Sequence, residues 1–354
     1  MRKLIVILLL VCIVPVQAAA AQWDEEPLDR LREAIPESSA DISESYTPDG
    51  FLDGVQDIFL DTLSQSKTVL RAALLSMLRI FGILILCQLM KQFGKTDHAA
   101  SLVCALGITA AASTDVKALL GMGMRVMDEI HTFSDTLLPI LSSAAAASGS
   151  VTGAGISYTV AVVFGDILIN LCRTVLTPMI YAFVALAAAD AAMGESRMKK
   201  LRELIGWLIS GGLKLLLSAF TAFLTVTGIL CGASDAMAVK TAKLTLSSMI
   251  PVVGSILSDA SETLLAGAGM VRTAAGTLGM TAILAAFALP CLKIAVSYGS
   301  FRITGALGGI FDSGQSALLD SISTAMGFVL AMVSSCAFMG LMSCCCLMKA
   351  VQPG

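Results

Sequence analysis

Five long stretches of this chain carry no charged residue: 136–165, 174–189, 215–234, 273–292 and 321–348. Each matches or approaches the ~18–20 apolar residues that a helix needs to cross a bilayer. Charged residues make up only 14% of the 354, and apolar residues 56%, where soluble domains carry about 25% charge. A water-exposed fold of this size has too few polar side chains to cover itself. The composition excludes an ordinary cytosolic enzyme, a disordered chain and a nucleic-acid binder with a large basic patch. Adding the shorter runs 98–114 and Ile80–Met90 gives about seven spans. The expected fold class is therefore an all-α polytopic membrane protein, with the lipid bilayer as its first partner. The Ala/Gly/Ser-rich stretch 139–155 could cross, dip back or lie flat.

The N-terminus reads differently. Met1-Arg2-Lys3 precedes the unbroken apolar run Leu4–Val14 and a small-residue exit at Ala18–Ala21, the pattern of a secretory signal over residues 1–21. Residues 22–68 hold twelve acids and three bases, whereas 69–354 hold fourteen acids and eighteen bases. The acidic segment is expected outside the cytoplasm, ahead of a membrane domain over 69–349 and a tail at 350–354. Within it, Leu52, Val55, Phe59 and Leu63 follow helical spacing beside an acidic stripe of Asp53, Asp57 and Asp61, predicting an amphipathic helix over 51–66. Such a helix docks a protein partner or packs, solvated, on its own membrane domain; the second reading is preferred.

Orientation follows the basic loops. Arg197, Lys199, Lys200 and Arg202 form the densest short basic loop and are expected in the cytoplasm. Lys91 and Lys95 agree with an N-terminus outside, while Arg71 and Arg79 pull the other way.

Polar groups inside apolar segments mark function by default. Asp166, Asn170 and Arg173, at spacings of 4 and 3, share one helical face. There the acid could pair with the arginine directly or through Asn170, lining a polar path or gluing helices. Asp190 and Lys214 flank the basic loop near the ends of their runs, and the preferred reading there is interfacial snorkelling or helix glue. The prolines of the membrane region, Pro139, Pro178, Pro251 and Pro290, fall in two pairs, each 39 residues apart. That echo, at an offset of 112, would fit paired helix breaks in an internal repeat. Cysteines beyond the leader lie in or beside apolar runs and read as small fillers; adjacent Cys344, Cys345 and Cys346 point to different helix faces. His98 and His131 are read as lone histidines without metal-ligand partners, and no phosphate loop, nucleophile elbow or His-Glu motif occurs. No metal, cofactor or enzymatic activity is expected.

Several motifs resemble one family. The segment Ala236-Met-Ala-Val-Lys240-Thr-Ala-Lys243 is followed by Met249-Ile-Pro251-Val-Val-Gly254 and by Leu257-Ser-Asp259-Ala-Ser-Glu262-Thr. With Val271–Gly276, Ala288–Lys293 and Leu137–Leu141, the set resembles the stage III sporulation protein AE family over roughly 70–350. The resemblance implies a subunit of the stage III sporulation A machinery, in the mother-cell membrane around the engulfed forespore. It also implies a channel-like assembly with ring-forming subunits, an associated ATPase and a forespore membrane partner, supporting late forespore gene expression. It supplies no chemistry for Asp259 and Glu262. Three apart, they share a helix face, at an amphipathic interfacial helix or along a passage beside the break suggested by Pro251 and Gly254. Two other functions remain open at this level: a self-sufficient secondary transporter built on the repeat, or a purely architectural anchor.

Overall fold

In the computed structural model, the described residues are 35, 51–93, 97–147, 151–193, 197–249, 254–309 and 313–349; within them, the side chains of 51–55, 59, 92–93, 97–100, 151, 227–273, 313–314 and 349 lie outside the description. All regular structure here is helical. The elements are α1 (Phe51–Phe93), α2 (Asp97–Ala147), α3 (Val151–Leu171), a π turn (Cys172–Leu176), α4 (Thr177–Met193), α5 (Lys199–Met249), α6 (Gly254–Gly308) and α7 (Ser313–Lys349). The signal, most of the acidic leader and the tail are outside the described residues. Within the leader, Ile35 rests half-buried on the hydrophobic core.

Among the described residues, six helical stretches are long and apolar enough to cross a membrane: 56–91, 101–147, 152–193, 199–226, 274–308 and 315–348. The expectation was about seven. The difference arises because charge-free runs and helices do not share boundaries. Runs 98–114 and the start of 136–165 belong to one helix, α2, whereas run 174–189 joins the end of 136–165 through the π turn. Of the ambiguous stretch 139–155, residues 139–147 end α2 and 151–155 begin α3, and Ser142 of α2 donates to the Ala154 carbonyl of α3 at 3.3 Å. At 51 residues, α2 extends about 75 Å, well beyond the ~30 Å hydrocarbon layer.

The packing order follows from which faces are apolar on all sides. Helix α7 lies at the centre, against α6, α2, α4, α3 and α5. Its Val329, Met332 and Val333 join Met127, Ile130 and Phe133 of α2 and Ile283 and Ala286 of α6 in one core. Helices α2 and α7 run parallel; Ser101 meets Gln315 at one end, and Met127 meets Cys336 further along. Close approach is set by glycine at two places. A Cβ on Gly123 would lie 3.1 Å from both Val329 and Val333, and one on Gly305 3.3 Å from Leu319. Gly305 belongs to a small-xxx-small pair, the pattern that lets helix backbones meet.

Helix α1 is the peripheral element. It packs on α6 and α2 and leaves Leu70, Leu75, Leu78 and Leu86 between 52% and 67% exposed. An apolar face of that extent suits lipid, not water. The expected amphipathic helix 51–66 and the first span are one uninterrupted helix. Its inward face also differs from the expected one. Ile58, Val69 and Ala73 are buried, while Leu63 is 54% exposed; Leu52, Val55 and Phe59 lie among the side chains outside the description. The neighbouring helix, not the apolar spacing alone, selected the face.

Two further expectations are corrected. Pro139 and Pro290 do not break helices: each lies inside one that continues through it. A transmembrane helix tolerates such a proline because neighbouring groups can satisfy the carbonyl it frees. Pro178 does coincide with an irregularity. The π turn widens the helix just before it, and both the Thr177 backbone N–H and its hydroxyl (2.8 Å) donate to the Cys172 carbonyl. Pro178 therefore starts a segment while Pro290 sits mid-helix, so these paired prolines are not equivalent positions; Pro251 lies outside the described residues. The second correction concerns Cys87 and Cys104, which are not separate fillers. The α1–α2 hairpin brings them together as a disulfide with 5.6 Å between Cα atoms. Cys344 is buried and Cys345 exposed, as three adjacent helical positions require.

Candidate functional site

The antiparallel α2–α3 hairpin creates the most polar feature inside the apolar stretches. On α2, Val126, Met127, Ile130, Phe133 and Leu137 turn into the core, which leaves Asp128, His131 and Asp135, at spacings of 3 and 4, along one edge. On α3 and the π turn, Leu168, Ile169 and Cys172 turn inward, leaving Asp166, Asn170 and Arg173 on the facing edge. Two stripes with mirrored spacing therefore meet across the hairpin.

Their pairing is not the one expected within α3. Arg173 Nη2 donates to both oxygens of Asp128, at 2.7 and 2.8 Å, and Asp166 lies 3.1 Å from His131 Nε2. The same nitrogen is 3.8 Å from Asp135 Oδ2. The reason is geometric. Side chains four or seven apart on one helix compete with a whole facing helix, and here that helix presents an opposite charge at contact distance. Asn170 is exposed beside the two pairs. With His131 neutral, the three aspartates and Arg173 leave the seam with an excess of two negative charges.

Beneath it lies a cavity of about 30 Å³, lined among others by His131, Ser134, Asp135, Cys336 and Ser343, large enough for a water molecule. The Ser134 and Ser343 hydroxyls already donate to their own helices, at Ile130 and Met339. The seam itself faces outward. The side chains of Asp128, Asp135, Asp166 and Arg173 are 42%, 52%, 58% and 60% exposed. A lipid-facing carboxylate or guanidinium costs ~2.5–3.5 kcal/mol even on the lowest scales. The α2–α3 edge therefore needs water or another protein against it.

Asp190 and the basic loop form a second polar unit. Asp190 is 8% exposed. Its Oδ1 accepts the Met198 N–H at 2.8 Å, and its Oδ2 is 3.5 Å from Arg202 Nη1. The carboxylate thus sits at the N-terminus of α5, where the helix dipole and free N–H groups favour a negative charge. These contacts tie the end of α4 to the start of α5. Arg197, Lys199 and Lys200 are exposed at the same turn, and Lys199 lies 4.0 Å from Glu203. Lys214 is exposed on α5 between buried Leu213 and Leu216, and neither Asp190 nor the seam reaches it. Lys240 and Lys243 fall on α5, and Gly254, Asp259 and Glu262 on α6; their side chains, and Pro251, lie outside the description.

Sequence reasoning missed Asp128, His131 and Asp135 as partners. The signal was present: the α2 stripe repeats the Asp166–Asn170–Arg173 spacing in reverse order, across a short reversal of the chain.

The profile of stage III sporulation protein AE matches residues 37–350, which include every helix described above. The stage III sporulation protein AE of Bacillus subtilis (strain 168) is 21% identical over 252 residues, 71% of this chain and 62% of that protein. The aligned region thus spans less than two thirds of that relative's length. No solved structure matches. With a profile match running from the acidic leader to the end of α7, the chain belongs to the stage III sporulation protein AE family.

Proposed function

We propose that the protein is a non-enzymatic, multi-pass subunit of the stage III sporulation A assembly in the mother-cell membrane around the forespore. Its α2–α3 seam would face the aqueous conduit of that assembly. Family membership supports the sporulation role. The observation that carries the conduit reading is the outward exposure of the Asp128–Arg173 ion pair and of Asp166, hydrogen-bonded to His131, inside stretches apolar enough to cross a membrane. Lipid is the costliest environment for such an edge. A water path bounded by neighbouring subunits removes that cost and leaves the charges free to select what passes. Ring-forming subunits, an ATPase and a forespore membrane partner would supply the rest of the path. The basic turn Arg197–Arg202 would lie on the cytoplasmic side and the acidic leader on the outer side.

Thiol accessibility in living, sporulating cells tests this. On a background with its other cysteines replaced, a cysteine at Asn170 should react with a membrane-impermeant thiol reagent. Asp128→Asn and Arg173→Gln should each lower spore yield at least tenfold. An inert Asn170→Cys together with normal spore yield from both substitutions would leave an architectural anchor. Substrate flux into liposomes from the purified chain alone would instead make it a transporter in its own right.

A further inference from the structure

A second polar cleft, of about 270 Å³, opens between α1, α2 and α6. Its polar lining is Thr68 and Ser76 of α1, Asp115 of α2, and Lys293, Ser297 and Ser300 of α6; the remainder is mostly small, with Ala72, Ala73 and Ala118 making the room. The carboxylate in it is already engaged. Asp115 accepts the Ser76 hydroxyl and lies 3.0 Å from Arg79 Nη2, and Arg79 also donates to the Ala111 carbonyl at 3.3 Å. Lys293 is half-buried in the same cleft, and the ion pairs formed there leave its ammonium out. Asp115, Arg79 and Lys293 together carry one uncompensated positive charge.

An ammonium half-buried between three apolar helices is costly unless an anion neutralises it. We infer that this cleft binds an oxyanion, a phosphate or a carboxylate, held by the Lys293 ammonium with the Thr68 and Ser297 hydroxyls; the Ser76 and Ser300 hydroxyls already donate to Asp115 and to the Ser297 carbonyl. Charge-assisted hydrogen bonds are the strong ones. A lysine offers three rotatable donors from a point charge, which suits tetrahedral and planar oxyanions alike. The volume lies just below the range of drug-sized sites, which favours a single headgroup or small acid over a nucleotide. The anion could come from the phosphodiester of an anionic phospholipid or from a small acid in solution. This site is independent of the α2–α3 seam and stands or falls without it.

The test uses the full chain purified in neutral detergent, with two sets of probes. Native mass spectrometry with added phosphatidylglycerol reads a retained lipid; thermal unfolding with inorganic phosphate or succinate reads a soluble anion. At least one set should bind, and Lys293→Gln should weaken that binding tenfold or more, whereas Lys293→Arg and the exposed Lys117→Gln should not. Should Lys293→Gln fail to fold, Ala72→Leu, which fills the cleft and leaves the charges in place, should abolish the same binding. Lipid retention alone identifies a headgroup site, and stabilisation by phosphate or succinate alone a solute site. Absence of both in the wild-type chain, or unchanged binding by Lys293→Gln and Ala72→Leu, overturns the inference.

Discussion

The α2–α3 seam and the Asp190–Arg202 clasp are both built from a carboxylate and an arginine on neighbouring helices, yet they sit in opposite surroundings. At the clasp the acid is 8% exposed and the arginine 15%, and a backbone N–H supplies the second contact. At the seam the Asp128 and Arg173 side chains are 42% and 60% exposed, and His131 is shared between two acids. A buried pair closed by its own chain holds structure. An open pair on an apolar wall keeps its charge at the surface, which is what the proposed conduit role rests on. Charge identity is the same in the two places; enclosure separates them.

Five variants sharpen or break that contrast. Asp190→Ala should have the largest effect on stability. It strands the Arg202 guanidinium and the Met198 N–H in a buried turn, at a cost of about 3 kcal/mol, read as a lowered midpoint of thermal unfolding in detergent. An unchanged midpoint would place the clasp with the seam. Gly279→Ala supplies the pure-packing reference, because its new Cβ runs into the fully buried Leu137 side chain. A loss of about 1–3 kcal/mol is expected, with no selective effect on the seam. Asp128→Ala should cost less than about 1 kcal/mol in detergent, as exposed pairs do, while spore yield falls. The reversed pair Asp128→Arg/Arg173→Asp should recover more yield than either single change. Asn170→Ala should be nearly silent in stability, since Asn170 is exposed beside the pairs. A midpoint shift comparable to that of Gly279→Ala would mean that the seam is packed against something already present in the monomer.

The fold class was legible because lipid imposes a local rule. Every backbone group in hydrocarbon must be satisfied within its own helix, so long uncharged runs such as 273–292 and 321–348 announce helices directly. Helix boundaries were less legible. The rule concerns charge, and the uncharged run 136–165 is divided between two helices, α2 and α3, while α2 carries Asp115 to Asp135 without interruption. Prolines misled for a related reason. A missing N–H matters only where no neighbour compensates, and Pro139 and Pro290 lie in helices packed on others.

Of the candidate site, the residues were legible and the pairing was not. Asp166, Asn170 and Arg173 stood out as polar groups sharing a face, which periodicity alone decides. That Arg173 belongs to Asp128 and Asp166 to His131, that Cys87 meets Cys104, and that Lys293 is left over while Asp115 is taken depend on the register between helices. Register is set by side-chain packing between segments distant in sequence, a sum of many small contacts. Composition and periodicity determined a helical membrane protein with charge on particular faces; only the tertiary arrangement decided which charges are closed off and which stay open.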